Sequence, residues 1–168
     1  MTDNENIQQG EALLIVDVQN GFVCPDTSHI PALVEKLQYD YETVIATQFY
    51  NQEGSFFRTL INWEHLQADT DEFDLAFKLR EDGLRVVKPI YTCVDRRLLD
   101  YLTRRAVKRV DICGIDTDIC VTKCAVDLFE NGIVPVVLKS FCGSTAGEGA
   151  HKHALQTLGR FIGRDQVR

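Results

Sequence analysis

Hydrophobic residues gather along the chain in five short, nearly continuous runs, and segments with a helical spacing of apolar residues separate them. A run of this kind is typical of a strand that is buried on both faces, as in a parallel sheet. We therefore predict strands over 11–18, 43–49, 84–89, 109–115 and 133–140.

Helices are predicted between these runs. Pro31 opens an amphipathic segment with proline in its first turn, and Asn131-Gly132 is a suitable end for a helix. The predicted helices cover 30–38, a short stretch near 56–67 within a loop, 95–105, 118–131 and 151–162. The glycine-rich segment 141–150 is predicted to be a loop, and 166–168 the beginning of a sixth strand. Strands that alternate with helices imply βαβ units and a mostly parallel sheet, hence an α/β fold.

Composition and charge argue against several classes of partner and location. The 168 residues are 45% apolar and 26% charged, which suits one globular domain over 1–168 with a polar tail over 1–10. The formal net charge of −7 argues against nucleic acid and anionic membrane surfaces as partners, because both require a basic surface. No apolar run reaches the roughly 20 residues of a membrane span, and the N-terminus lacks a signal-peptide pattern, so we expect a cytoplasmic protein.

Six cysteines raise the question of disulfides, a metal site or a nucleophile. No C-x-x-C pair occurs, which argues against a zinc ribbon or a thioredoxin-like site. In a cytoplasmic chain we expect reduced thiols, most of them buried like small apolar residues. Cys120 lies just past a predicted strand end, on the first turn of a predicted helix, and it is either one more core residue or a nucleophile.

Chemically capable side chains stand at three strand ends, namely Asp17, Lys88 and Cys120. Because ligands bind beyond the carboxyl ends of parallel strands, we expect these side chains to meet at one edge of the sheet. A thiolate there can attack a carbonyl carbon, and the helix dipole and Lys88 are expected to lower the pKa of Cys120. Asp17 would take the thiol proton and pass it to the leaving group, while N–H groups at the helix start form an oxyanion hole.

Three segments resemble the isochorismatase-like cysteine hydrolase superfamily, which includes nicotinamidases, ureidoacrylate amidohydrolases and N-carbamoylsarcosine amidases. ALLIVDVQNGF carries the family's D-x-Q-x-x-F pattern as Asp17, Gln19 and Phe22. VVKP supplies the matching lysine, and GIDTDICV, the most specific segment, is similar to G-[VI]-x-T-x-x-C-V. The resemblance extends over 11–162.

This resemblance implies a Rossmann-like three-layer α/β/α sandwich with a five- to six-stranded, mostly parallel sheet. It implies a catalytic triad of Asp17, Lys88 and Cys120 and a covalent intermediate on Cys120 when an amide is cleaved. It also implies a cis peptide bond between Ile115 and Asp116, with the backbone N–H groups of Asp116 and Cys120 as the oxyanion hole. Members of the family tend to oligomerise, so we expect a homo-oligomer, a dimer or a tetramer.

The segment after the second strand departs from the family pattern. Nicotinamidases carry T-[RK]-D-W-H there, followed by further histidines, and these side chains bind a divalent metal. This chain has Phe49 and Asn51 at the acidic and histidine positions, and only His65 follows nearby. A zinc or iron site needs at least three nitrogen, oxygen or sulfur ligands, so we expect neither a metal nor another cofactor.

The same region is rich in aromatic residues, which either pack the loop onto the sheet or line an apolar pocket. We expect Phe22, Phe49, Trp63 and Tyr91 to line a substrate pocket. The sequence is thus interpreted as a metal-independent cysteine hydrolase. It would cleave an amide-type C–N bond of a small molecule through a covalent Cys120 intermediate.

Three alternatives remain open. The isochorismatase branch of the family hydrolyses a vinyl ether, and Cys120 favours amide cleavage without excluding that reaction. A catalytically silent binding or scaffold protein of the same fold would explain the altered positions Phe49 and Asn51. A thiol redox sensor using Cys120 and Cys124 is disfavoured, because the i+4 spacing holds the two sulfur atoms too far apart for an unstrained disulfide.

Overall fold

The computed structural model describes residues 10–168, and residues 1–9, which make up most of the predicted polar tail, lie outside the described residues. The strands of the described part are β1 (Glu11–Val16), β2 (Thr43–Phe49), β3 (Leu84–Lys88), β4 (Arg109–Ile115) and β5 (Val134–Gly143). They form one sheet in the order β3-β2-β1-β4-β5, and every pair of neighbours is parallel. The predicted parallel sheet is confirmed, with five strands.

Helices flank this sheet and complete the predicted three-layer α/β/α sandwich. They are α1 (Ile30–Leu37), the short α2 (Phe56–Thr59), α3 (Arg96–Arg104), α4 (Thr122–Glu130) and α5 (Glu148–Phe161). The start of α3 shows how sequence sets a boundary, because the Asp95 side chain accepts a hydrogen bond from Leu98 N at 2.9 Å. Leu98 and Leu102 then face the core. None of the helices within residues 10–168 is long and apolar enough to cross a membrane.

The strand order creates a reversal between β1 and β4. The chain runs outward from β1 through β2 to β3, and then returns to the other side of β1 with β4. In open parallel sheets, ligands bind at such a reversal, beyond the carboxyl ends of the strands. Residues of β1, β2 and β4 are almost all buried, so the side chains that follow these strands start from a rigid base.

Gly114 lets β4 approach β1 closely at this edge. Its φ of 121° is a conformation that side chains with a Cβ rarely adopt. A Cβ at this position would lie within 2.7 Å of Val16 N and still closer to Val16 O. Asp17 follows Val16 directly, so this contact fixes the separation of the two strands beside the predicted site.

Strands β1, β3 and β5 differ in their bounds from the sequence-based prediction, β3 only by ending at Lys88 rather than at 89 and β5 also by beginning at Val134 rather than at 133. The strand predicted over 11–18 ends at Val16, because Asp17 has a positive φ of 48° and turns the chain out of the sheet. At the other edge β5 continues through 141–143, which was predicted to be loop, since its last two residues pair with Gly114 and Ile115.

Three further predictions need correction. The helix predicted near 56–67 comprises four residues, because Asn62 adopts a left-handed φ of 55° and the chain leaves the helix before it. The last helix begins at Glu148 rather than at 151. The chain end forms a single bridge between Val167 and Val137 instead of a sixth strand.

Candidate active site

Asp17, Lys88 and Cys120 lie together at the carboxyl edge of the sheet. Lys88 Nζ is 2.6 Å from Asp17 Oδ2 and 3.7 Å from Cys120 Sγ. All three side chains are buried. The three strand ends therefore bring a carboxylate, an ammonium group and a thiol into one water-poor cluster.

The Asp17 carboxylate is oriented by Thr47, the third-last residue of β2. The Thr47 hydroxyl donates to Asp17 Oδ1 at 2.6 Å and accepts a hydrogen bond from Asp17 N at 3.0 Å. Sequence analysis did not single out Thr47. The signal available was a buried hydroxyl near the end of an otherwise apolar strand that neighbours β1.

Lys88 has an acceptor for each of its three ammonium hydrogens. Besides Asp17, Nζ donates to Ile90 O at 3.1 Å and to Tyr91 O at 3.0 Å, and it lies 5.4 Å from the centre of the Phe49 ring. Burial lowers the pKa of Lys88, but the charge and hydrogen bond of Asp17 act against burial, and the pKa lies above its ordinary value. Lys88 is therefore a permanent cation at this edge.

Cys120 differs from the sequence-based expectation in the direction of its pKa. Burial raises the pKa of the Cys120 thiol well above its ordinary value, and the Asp17 charge raises it further. Lys88 acts in the opposite direction but does not compensate. The expectation of a lowered pKa was wrong, because it counted the helix start and the lysine and left out the desolvation of the thiol.

The backbone around Cys120 departs from a regular α-helix. The peptide bond between Ile115 and Asp116 is cis, and residues Thr117–Val121 form a π-helical turn before α4, where an α-helix from 118 was predicted. The Asp116 carbonyl accepts hydrogen bonds from Ile119 N at 3.2 Å and Val121 N at 3.1 Å. These two donors stand on either side of Cys120, so the Cys120 N–H is not used by that carbonyl. Such turns occur frequently at functional sites.

A cavity of about 470 Å³ opens beside Cys120. Its lining includes Asp116, Cys120 and all the aromatic residues named for the pocket, which are Phe22, Phe49, Trp63 and Tyr91. The rings of Phe22 and Trp63 are nearly parallel, with 5.9 Å between centroids and 15° between planes. Phe49 packs against Trp63 at 5.8 Å. Several aromatic rings thus line the same cavity as Cys120.

Gln19, the middle residue of the D-x-Q-x-x-F pattern, holds Phe49 in the wall of this cavity. Its Oε1 accepts a hydrogen bond from Phe49 N at 2.7 Å, and its Nε2 donates to Phe49 O at 3.0 Å and to Phe73 O at 2.8 Å. The pattern was noted in the sequence, but this partner of Gln19 could not be derived from spacing alone.

One side of the cavity is polar. His65 Nδ1 lies 2.9 Å from Glu72 Oε1, and Glu72 Oε2 accepts a hydrogen bond from Leu66 N at 2.9 Å. The hydrogen bond from Leu66 and the contact with His65 lower the pKa of Glu72, so this carboxylate is ionised. His65 and Glu72 both line the cavity and present a polar edge among the aromatic rings.

The metal set that the resemblance implies for nicotinamidases does not fit these residues. Asn51 Nδ2 donates to Trp63 O at 2.8 Å and to His65 O at 2.9 Å, while its Oδ1 accepts from Ser55 Oγ at 2.8 Å. The side-chain atoms of Asn51 that could coordinate a metal are therefore used in hydrogen bonds within the loop. The side chain of Phe49 has no atom that could coordinate a metal. Within residues 10–168, no group of three or more His, Cys, Asp or Glu side chains is arranged to hold a metal ion.

Comparison with known proteins gives similarity over most of the chain. The family model described as isochorismatase domain matches residues 11–163. A nicotinamidase/pyrazinamidase from Mycobacterium tuberculosis is 32% identical, and the similarity covers 83% of this chain and 88% of that protein.

Solved structures show the same fold. An isochorismatase-like hydrolase from Alkaliphilus metalliredigens has a TM-score of 0.81 at 22% identity, with 90% of this chain and 92% of the other covered. The pyrazinamidase of Pyrococcus horikoshii, whose structure is a complex with zinc, has a TM-score of 0.81 at 21% identity, with 95% and 98% covered.

Proposed function

The chain belongs to the isochorismatase family and is a hydrolase, and on this premise we propose that it cleaves the amide C–N bond of a small planar substrate through Cys120. The observation that carries this proposal is the buried contact of Lys88 with both Asp17 and Cys120, beside an aromatic cavity. A nucleophile, a proton carrier and a third group that orients the proton carrier, all within hydrogen-bond reach, form the arrangement typical of nucleophilic catalysis by a thiol.

In the first half of the proposed reaction, Cys120 Sγ attacks the carbonyl carbon and its proton passes to the Asp17 carboxylate. Burial keeps the resting thiol protonated, so proton transfer accompanies the attack rather than preceding it. Asp17 then gives the proton to the nitrogen, which leaves as an amine or ammonia. The C–N bond is broken and a thioester to Cys120 remains.

In the second half, water attacks the thioester carbonyl and Asp17 accepts a proton from that water. The C–S bond breaks, the proton returns to Cys120, and the carboxylic acid leaves. Lys88 stays protonated throughout, because Asp17 and two backbone carbonyl groups surround its ammonium group. Its role in the proposal is to hold the carboxylate in place and to balance the negative charge on sulfur.

We assign the oxyanion hole to the backbone N–H groups of Asp116 and Cys120. The π-helical turn supports this assignment, since the hydrogen bonds to Asp116 O come from Ile119 and Val121 and pass over Cys120. Asp116 and Cys120 also line the same cavity. N–H groups that are fixed before the reaction stabilise the charge that develops on the carbonyl oxygen.

The cavity favours a small planar amide. Its volume of about 470 Å³ is within the range of small-molecule sites. The Mycobacterium tuberculosis relative is named for nicotinamide and pyrazinamide, two small aromatic amides. Because Phe49 and Asn51 supply no metal ligand, we propose that ring contacts and the polar edge at His65 and Glu72 bind the substrate of this chain without a metal.

The proposal is tested by incubating the protein with nicotinamide, pyrazinamide, benzamide and small ureido compounds, and measuring released ammonia. Mass spectrometry of the quenched protein should detect an acyl group on the peptide that contains Cys120. Cys120→Ala should abolish both signals, and Cys142→Ala, which removes a buried thiol outside the cavity, should retain them. Ligand binding without ammonia or adduct would favour the silent binding protein, and vinyl-ether hydrolysis without an adduct would favour the isochorismatase-type reaction.

We also propose that the protein forms a dimer or a tetramer. Phe56, Leu60 and Ile61 are large apolar residues exposed next to the cavity, and their burial in a dimer or tetramer would remove an apolar surface from water. Light scattering at micromolar concentration tests the assembly, and a mass equal to the 19.0 kDa chain would contradict it.

The proposed location is the cytoplasm. Six unpaired cysteines, most of them buried, are typical of a reducing cytoplasm.

A further inference from the structure

Thr117, the first residue of the π-helical turn, is bonded to the last residue of β5 and to the first turn of α5. Its hydroxyl oxygen lies 3.0 Å from Gly143 O and 2.8 Å from His151 Nδ1. A second link runs beside it, since the Asp116 carboxylate accepts hydrogen bonds from Thr145 N at 2.6 Å and from Thr145 Oγ1 at 2.9 Å. The turn that carries Cys120 is thus held by side-chain hydrogen bonds to residues 143–151, in addition to the backbone hydrogen bonds within the turn.

The direction of the hydrogen bonds follows from the inventory of hydrogens. A threonine hydroxyl has one hydrogen, and a carbonyl oxygen can only accept. Both contacts of Thr117 are hydrogen bonds only if the hydroxyl donates to Gly143 O and accepts from His151 Nδ1–H. Burial lowers the pKa of His151, which favours the neutral imidazole, and the contact with the Thr117 hydroxyl assigns its hydrogen to Nδ1. His151 therefore fixes which way the Thr117 hydroxyl points.

Thr117 is also bonded through its backbone. Its carbonyl oxygen accepts hydrogen bonds from Thr122 Oγ1 at 2.6 Å and from Thr122 N, at the point where α4 begins. Cys120 lies between these two residues, in a turn whose start is fixed by His151 and whose end is fixed by Thr122. A change at the start of the turn therefore alters the direction of Cys120 Sγ relative to Lys88.

We propose that His151 is a positioning residue for Cys120, acting through the Thr117 hydroxyl. This inference rests on the proposed function and deepens it, because it names a residue outside the cavity on which the nucleophile depends. His151 does not line the aromatic cavity, so its loss should affect the chemical step more than substrate binding. Displacement of a reacting atom by about 1 Å is enough for a large loss of rate.

The experiment compares His151→Leu, which removes the donor, with His151→Asn, whose side-chain N–H₂ takes the place of Nδ1–H. His153→Leu is the matched control, because His153 lies on the same helix, is exposed and bonds only to Gly149 O. For an amide that the native protein cleaves, kcat of His151→Leu should fall about tenfold or more with KM within about twofold. His151→Asn should recover most of kcat, and His153→Leu should match the native protein.

Alkylation of Cys120 by iodoacetamide, followed by peptide mass spectrometry, provides a readout that needs no substrate. The rate should fall in His151→Leu and recover in His151→Asn, even if the protein cleaves none of the amides. In a Thr117→Val background, His151→Leu should have no further effect, because the hydroxyl through which it acts is absent. An unchanged kcat and alkylation rate in His151→Leu, or a loss that His151→Asn does not restore, would overturn the proposal.

Discussion

Lys88 Nζ and Asp17 Oδ2 form a buried ion pair at 2.6 Å across a strand that separates them. The sheet order is β3-β2-β1, so the residues that end β3 and follow β1 meet over the end of β2. Removing one partner of a buried pair leaves the other charge without compensation, which is far more costly than breaking a surface pair. The pair therefore forms only when β1, β2 and β3 are paired in the sheet.

Lys88→Met should lower the free energy of unfolding by about 3–5 kcal/mol and abolish hydrolysis, because it leaves the Asp17 charge buried and unpaired. Urea unfolding followed by circular dichroism measures the change. Lys152→Met is the matched control, since Lys152 pairs with Glu148 at 3.1 Å on the exposed face of α5, and its cost should be below about 1 kcal/mol. A cost below about 1 kcal/mol for Lys88→Met would contradict the buried pair.

Asp17→Asn should separate thiol reactivity from hydrolysis. The Asp17 charge raises the pKa of Cys120, so its removal should lower that pKa and increase the rate of iodoacetamide labelling at pH 7. Amide hydrolysis should be lost, because the proton carrier is gone. Asp74→Asn, at an exposed position, should change neither rate. Slower labelling of Cys120 in Asp17→Asn would show that Asp17 promotes the thiolate instead.

The protein should lose stability in alkaline solution. Burial raises the pKa of Cys113 and Cys120 well above the ordinary value, and it raises the pKa of Cys142 to about 12. A thiol with a raised folded pKa contributes stability that is complete below the unfolded pKa of about 8.5 and is lost as pH rises toward the folded pKa. Each such thiol should remove about 1.4 kcal/mol per pH unit within that window.

Thermal unfolding between pH 7 and pH 11 measures this loss. Cys142→Ala removes one of the contributing thiols, so its unfolding temperature should fall less steeply with pH than that of the native protein. An unfolding temperature that stays constant up to pH 11 would contradict the burial of these thiols in their neutral form.

Trp63→Ala should raise KM for aromatic amides by about tenfold and leave KM for acetamide nearly unchanged, because aromatic contacts contribute about 0.5–1.5 kcal/mol beyond area burial. Steady-state kinetics with benzamide and acetamide test this difference. Tyr39→Ala is a control for general effects of losing an exposed aromatic ring away from the cavity. An equal rise in KM for both amides would indicate that Trp63 shapes the loop rather than contacts the ring.

The strands were the most predictable part of the fold. The bounds of β2 and β4 agree with the predicted ranges, because both strands are buried on both faces and their apolar runs end where burial ends. The meeting of Asp17, Lys88 and Cys120 also follows from sequence, since parallel strands bring their carboxyl ends to one edge. Topology thus converts three distant positions into one cluster without knowledge of any side-chain contact.

The loop between β2 and β3 could not be predicted in the same way. Its conformation depends on Asn51, whose amide bonds to Trp63 O and His65 O, residues that are distant in sequence and show no periodic pattern. The pKa of Cys120 was mispredicted for a related reason. Desolvation depends on everything that surrounds the thiol, whereas the sequence shows only the charges nearby in the chain.

Because β4 approaches β1 closely at Gly114, substitutions of this glycine should not be tolerated, although Gly114 takes no part in the proposed reaction. Any side chain there would push against Val16 and move the segment that carries Asp17. A genetic screen for inactive alleles should therefore recover substitutions of Gly114 together with those of the reactive residues. Such alleles would reduce the amount of folded protein, whereas Cys120→Ala alleles would leave it at a normal level.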